Sequence, residues 1–413
     1  MKVLWIALVW PETTSSAAGV RTTQLLQALK NNGFEVEVSS PCRLNEHEEK
    51  LRDLGFKTAS FKPNDSSFDE YIKNLNPEIV FFDRFMAEEQ FGWRVREQAP
   101  EALRVLDTID LHSLRRARQK ELKADGSKLP LELSAKNMLS DDTVRELSSI
   151  YRSDLSFIIS DYELSLLTDY YNVPANLLEL NRFSYAARGD LKGFEERKNF
   201  VAIGNFNHEP NADSYRLLQK TIWPEIRKRL PEAELHIYGA YPSEEIKNLN
   251  NPKSGFLVKG WTEDSLETLS NYRVNLAPLR FGAGIKGKVS DGWTVGTPCI
   301  GTSIAKEGMI GNLDFGGSIA DDWSEFSEKA VTLYGDEVLW IKAQEKGLKV
   351  IKQLYNPEEN IKSFLDAIQI AITNKESKRL KNFVGSMLWH NQHRSTEYFS
   401  RWIEAKNRAS LVL

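Results

Sequence analysis

Twice along this chain a near-continuous apolar run passes through a loop of small or polar residues into a stretch spaced for a helix. The first instance begins with Val3 to Val9, crosses Pro11 and the loop from Thr13 to Gly19, and enters a segment where Val20, Leu25, Leu26 and Leu29 share a face before Gly33. The second begins with Phe200 to Gly204, crosses Asn205 to Asn211, and enters a helical stretch from about Asp213 to Arg229. Strands apolar on both faces are those of parallel sheets covered by helices on either side. An α/β architecture with one sheet in each half is therefore expected. A chain of 413 residues also exceeds what one core normally supports. Domains of 1–190 and 195–384 follow, joined through the apolar-poor stretch Ala186 to Asn199.

The composition excludes several classes. A formal net charge of -4 gives no reason to expect a nucleic-acid partner. The two cysteines, Cys42 and Cys299, are far apart and lie beside predicted strands, so free thiols in a reducing compartment are expected. No Cys/His cluster has metal-ligand spacing, and no Asp-x-Asp pattern occurs. The N-terminal apolar run is too short for a signal peptide and leads into a polar turn, and no run of about 18 apolar residues exists. These features point to the cytoplasm, with the inner face of a membrane as a further place.

The chemistry concentrates between Ala277 and Ile304. An apolar strand from Val274 to Pro278 runs into Phe281-Gly282-Ala283-Gly284-Ile285-Lys286, a short helix is predicted from about Lys286 to Val295, and Gly296-Thr297-Pro298 turns into a second strand. Gly282 and Gly284 are expected to take φ > 0 and let the backbone approach a ligand, and the N–H groups at the start of the helix favour phosphate. Lys286 and Lys288 add full charges to the same turn. Asp291, one turn further on, can accept hydrogen bonds from sugar hydroxyls. The plainer alternative is a strand-turn-helix whose lysines are only solvated.

The segment Phe281-Gly282-x-Gly284-Ile285-Lys286-x-Lys288, with Asp291 and Gly296-Thr297-Pro298, resembles the donor-binding segment of retaining glycosyltransferases of the GT-B fold, family 4 (glycosyl transferases group 1). The resemblance implies two Rossmann-like domains facing each other across a cleft, with a last helix, about 385–413, crossing back onto the first domain. It also implies a nucleotide diphosphate sugar as substrate, its diphosphate held by loop amides and by Lys286 in a catalytic role, and its ribose held by Asp291. The family usually has glutamate at position 291 and another eight residues earlier, where this chain has Ala283. The Gly204 loop is similar to the family's second glycine loop, but Asn205 and Pro210 stand where an arginine and a lysine are common. Asn205, Asn207 and His208 supply hydrogen bonds there, with less charge. Gly239 and the turn Gly260-Trp261 resemble segments that flank the nucleotide base.

In the first half, Ala17-Ala18-Gly19-Val20-Arg21 looks like the family's first glycine loop, so Gly19 and Arg21 join the donor-binding set. Arg21 has two readings, a fork aimed at the diphosphate or a surface arginine in the first helical turn. Asp110-x-His112, at the end of a strand from Arg104 to Leu106, resembles the acceptor-side segment near the reacting centre. Its plainer reading makes Asp110 an N-cap and His112 a surface histidine. The basic stretch Arg115 to Lys123 suits either contact with anionic lipid headgroups or a solvated helix face.

The expected activity is transfer of a sugar, with retention, to a hydroxyl acceptor on a glycan, a lipid or a protein, with no metal and no other cofactor. Rival readings are an impaired GT-B subunit, suggested by Ala283 and Asn205, and an epimerase of the same fold. A dinucleotide oxidoreductase ranks last, because neither glycine loop reads Gly-x-Gly-x-x-Gly.

Overall fold

The computed structural model describes residues 1–13, 16–125, 129 and 133–409. They form two compact units. The first comprises Met1–His112, Ser140–Asn181 and Glu358–Leu413, and the second Ser113–Leu139 and Arg182–Pro357. Each is built on one all-parallel sheet, as the apolar runs require.

The first sheet contains β1 (Lys2–Ile6), β2 (Glu35–Ser40), β3 (Lys57–Ser60), β4 (Ile79–Asp83), β5 (Leu103–Asp107), β6 (Leu155–Ile158) and β7 (Leu178–Leu180), in the order β3-β2-β1-β4-β5-β6-β7. Strand order reverses between β1 and β4, so this is the place where such a sheet opens a crevice beyond its carboxyl ends. The core on one face stacks Trp5 on Phe81 at 4.6 Å. Phe364 of the helix Pro357–Lys381 closes over Phe81 and Phe157, at 5.9 and 4.9 Å between ring centroids.

The second sheet contains β8 (Lys198–Ile203), β9 (Leu235–Tyr238), β10 (Phe256–Gly260), β11 (Tyr272–Ala277), β12 (Cys299–Gly301) and β13 (Gly317–Ile319), in the order β10-β9-β8-β11-β12-β13. Here the reversal falls between β8 and β11, which pair directly with Val274 beside Phe200 and Asn275 beside Val201. The two glycine-bearing loops, one after each of these strands, therefore emerge side by side.

The units divide at Asn181/Arg182, ahead of the apolar-poor stretch, and the chain returns to the first unit at Glu358 rather than near 385. The reason is burial. Phe364, Ala367, Ile368 and Ala371 of the returning helix belong to the first unit's core, and truncating a phenylalanine in such a position costs about 3–5 kcal/mol. The final helix, Phe383–Ala409, buries Trp389, while Phe399 and Trp402 are 61% and 57% exposed. Both cysteines are free thiols, Cys299 buried and Cys42 partly so. Among the described residues no helix is long and apolar enough to cross a membrane, and no three His, Cys, Asp or Glu side chains gather as metal ligands.

Candidate functional site

In the second unit the site is built at the strand-order reversal. β8 ends at Ile203, and Gly204 turns with φ 153°, where an added Cβ would lie 2.5 Å from Asn211 Nδ2. The loop is wound on itself. Asn205 Oδ1 accepts from the Asn207 N–H at 2.8 Å, Asn205 O accepts from Asn211 Nδ2 at 2.8 Å, and the Tyr215 hydroxyl donates to Gly204 O at 3.0 Å. His208 is the residue at which the helix Glu209–Leu217 starts, and its side chain does not cap that helix. Gly239 packs so closely that a Cβ would meet Gly204 O at 2.2 Å, and its N–H donates to Gly260 O at 2.8 Å. Gly260 takes φ 78°, and Trp261 beyond it is 62% exposed. Gly204, Gly239 and Gly260 thus sit on three neighbouring strand ends.

From β11 the chain passes Pro278 and Leu279 into the glycine turn. Phe281 and Gly282 are buried, Ala283 and Ile285 partly so. Gly284 has φ 62°, but Gly282 does not take positive φ, contrary to expectation. Its Cβ position is open all the same, with only Ile304 Cγ2 within reach, at 3.9 Å. The helix Gly287–Thr294 follows. Lys286 stands at its N-cap with no side-chain cap, and the N–H groups of Gly287 and Lys288 have no hydrogen-bond partner among the described residues. Unsatisfied amides at a helix start, with the positive end of the helix dipole behind them, make an anion site.

The lysines of this turn differ. Lys286 is 6% exposed, and its ammonium donates to Gly284 O at 2.8 Å and Glu307 O at 3.0 Å. That geometry ties the turn to the segment after the helix Ser303–Lys306. Lys288 reaches the neighbouring loop instead and donates to Asn211 Oδ1, so the two glycine loops share one ammonium. Burial lowers its pKa to about 8. Asp291, one turn later, has no hydrogen-bond or ion-pair partner among the described residues, and burial raises its carboxyl to about 7. A half-buried carboxyl left without a partner is costly unless solvent or a ligand completes it.

Arg118, within the basic stretch that the sequence left as solvated or lipid-facing, is 3% exposed. It donates to Gly282 O at 2.7 Å and pairs bidentately with Glu307 at 2.8 and 2.7 Å. Only Arg116, Lys120 and Lys123 of that stretch lie fully outward. Nothing in the sequence linked Arg118 to a turn 164 residues away.

In the first unit, Ser16 caps the helix Ala17–Asn31 by accepting from the Gly19 N–H at 3.1 Å. Gly19 is needed because a Cβ would meet Glu12 O at 2.2 Å. Arg21 is 1% exposed and gives two N–H groups to Asp107 at 3.1 and 3.0 Å, so it is neither a surface arginine nor a free fork. Asp110 and His112 are 9% and 8% exposed, and His112 Nε2 lies 3.3 Å from Asp110 Oδ1. The helix start at His112 is capped from outside the segment. Glu163 accepts from the Leu111 N–H at 2.8 Å and Glu146 from the His112 N–H at 2.7 Å.

Beside this pair stands Asp83, 4% exposed at the end of β4. Burial raises its pKa, Arg84, His112 and Arg21 oppose that, and Asp107 adds to it. Its Oδ1 has no hydrogen-bond partner among the described residues. The residues that follow β4 and β5 are strained, Arg84 at φ 71° and Ile109 at φ 62°, a conformation that costs about 1–3 kcal/mol each and gathers at working sites. A cavity of about 490 Å³ opens nearby, lined by Leu8, Pro41, Pro63 and Met86 from beyond the carboxyl ends of β1 to β4 and by Glu89 and Arg145.

Comparison with known proteins agrees with this architecture. Residues 197–336, about a third of the chain, match the family model described as Glycosyl transferases group 1. No curated protein sequence gives a significant match. Among solved structures, HepE of Anabaena in complex with UDP and glucose superposes with a TM-score of 0.67 at 8% identity, over 89% of this chain and 99% of that one. TarM of S. aureus gives 0.66 at 10% identity, over 89% and 98%. A glycosyltransferase from Rickettsia africae gives 0.64 at 11%, over 90% and 99%. With this similarity over nearly its whole length, the chain has the GT-B fold, and most of its second unit, residues 197–336, matches the glycosyl transferases group 1 model.

Proposed function

We propose that this protein is a glycosyltransferase that moves a sugar from a nucleotide diphosphate sugar to a hydroxyl acceptor, with retention at the anomeric carbon. The observation that carries the reading is the pair of unsatisfied amides, Gly287 and Lys288, at the strand-order reversal, flanked by the Lys288 ammonium and the unpartnered Asp291. Amides and ammonium stabilise the charge that grows on the departing diphosphate, and they are aimed before the reaction begins. Asp291 accepts from the ribose hydroxyls. Lys286 and Arg118 act one step back, fixing the turn that presents those amides. No metal is needed in this scheme, since the helix dipole and Lys288 supply the positive charge.

On the acceptor side, the cavity beyond β1 to β4 takes the acceptor, and Asp83, Asp110 and His112 orient its hydroxyl. HepE and the pneumococcal O-GlcNAc transferase GtfA were solved with UDP, which makes UDP-sugars the first donors to try. Ala283 and Asn205, where glutamate and arginine are usual, favour a second reading in which the protein binds a nucleotide sugar without transferring it.

A thermal-shift panel of nucleotide diphosphate sugars, followed by measurement of released nucleoside diphosphate, separates the readings. A shift with turnover supports the transferase, and a shift without turnover in the presence of varied acceptors supports the binding subunit. No shift with any member of the panel removes both. Product analysis without acceptor identifies an epimerase.

A further inference from the structure

We infer that the outer face of the final helix, Phe383–Ala409, is a docking surface for an anionic lipid membrane, on which the helix lies in the plane of the headgroups. Its inner face is anchored: Trp389 is 7% exposed and Ser400 3%, and the Trp389 ring lies against the guanidinium groups of Arg96, Arg104 and Arg152. At 3.6 residues per turn, Val384, Met387, Tyr398 and Trp402 fall within about 60° of one another on the opposite face, along roughly 27 Å of helix. All four are exposed, at 45%, 49%, 62% and 57%, and Phe383 and Phe399 widen the stripe. Phe399 stacks on Trp402 at 5.8 Å, and the Lys406 ammonium sits 5.4 Å from the Trp402 ring.

The charge pattern decides the occupant. From Leu380 onward, the exposed charged side chains among those described are Lys381, Arg401, Lys406 and Arg408, all cations. The two acids of the helix turn inward. Arg401 is 50% exposed while its partner Glu397 is 20%, and Arg408 is 68% exposed while Glu404 is 13%. A stripe of Trp, Tyr, Phe and Met flanked by outward cations is the composition of a helix that lies in a membrane interface, where aromatic rings sit at headgroup depth and each cation near the surface adds attraction. A second copy of the chain fits less well, because a twofold contact sets a patch against itself and would oppose these cations to one another. The proposal is independent of the sugar chemistry assigned above.

The test is sedimentation of the full chain with vesicles of phosphatidylcholine alone, or of phosphatidylcholine and phosphatidylglycerol in equal parts. The protein should pellet with the mixed vesicles and be released by salt. Tyr398→Ser with Trp402→Ser should weaken partitioning roughly tenfold or more, and Lys406→Gln about fivefold. Because these side chains face outward, the variants should melt like the parent. Three results would each overturn the proposal: a parent protein that stays in solution with the mixed vesicles, a Tyr398/Trp402 variant that pellets as well as the parent, or a parent dimer that Trp402→Ser turns into a monomer.

Discussion

Lys288 offers the most quantitative handle on the proposed donor site, because burial brings its pKa down to about 8. The lysine is held among protein groups, donates to Asn211 Oδ1, and has its pKa lowered to about 8 by burial. An anion binds the ammonium form. Affinity for a nucleotide diphosphate sugar is therefore full below pH 8 and falls above it, since the complex keeps its proton and the free protein has lost it. For a free-state pKa of about 8, this linkage raises Kd roughly tenfold between pH 7 and 9. The stability of the free protein runs the other way. Between about 8 and the unfolded value of 10.5 the unfolded chain holds more protons, so stability rises with pH while affinity falls. Calorimetric titration at both pH values, in buffers of different ionisation heat, reads the affinity and the proton taken up. Lys288→Arg, charged throughout, should flatten the profile. Lys288→Met should flatten it and cost about 10- to 150-fold in Kd, the range for a charged hydrogen bond. Equal affinity at pH 7 and 9 in the parent, or parent-like binding by Lys288→Met, would refute the role given to this residue.

Other expectations follow from the same geometry. Asp291→Asn should weaken donor binding about tenfold or more through the lost charged acceptor. It should also raise the melting temperature of the free protein at pH 8, because a carboxyl shifted up to about 7 by burial destabilises the fold once ionised; a variant that melts lower and binds normally would contradict both statements. Gly239→Ala would drive a Cβ to within 2.2 Å of Gly204 O and should cost about 1–3 kcal/mol in chemical denaturation. Gly282→Ala meets open space and should leave stability unchanged while weakening the nucleotide-sugar thermal shift. Arg21→Met strands the fully buried Asp107 and should cost about 3–5 kcal/mol in urea unfolding; loss of donor binding with no loss of stability would show that Arg21 serves the ligand rather than the core.

The parallel architecture was legible because β1, β4, β8 and β11 are runs of Val, Ile, Leu, Phe and Trp that only a doubly covered sheet can bury. The short edge strands were not. Lys57-Thr-Ala-Ser, Leu178-Glu-Leu and Gly317-Ser-Ile carry too few apolar residues to stand out, because an edge position asks for little burial. The glycine turn that carries the proposed donor site could be located from Gly284, Lys288 and Asp291, since glycine spacing and charge are local signals. Its supports could not. Arg118 with Glu307 and Arg21 with Asp107 join residues 189 and 86 positions apart, and the sequence of a cation says nothing about which distant carboxylate will face it. Asp83 closes the apolar run from Ile79 to Phe82, but its unpartnered oxygen and the left-handed backbone of Arg84 exist only in the folded sheet. The last helix was assigned to the first unit, but the return begins one helix earlier, at Glu358, for a related reason: an amphipathic pattern announces a buried face without saying which core receives it.

The return of residues 358–409 to the first unit also sets an order of assembly during synthesis. The second unit's residues, 182–357, leave the ribosome complete while the opening sheet still lacks Phe364, Ile368 and Ala371. At ordinary translation speeds that sheet waits on the order of ten seconds or more with one apolar face uncovered. The first unit is therefore completed only after the residues of the second have emerged, and until then its uncovered sheet is open to chaperones and proteases.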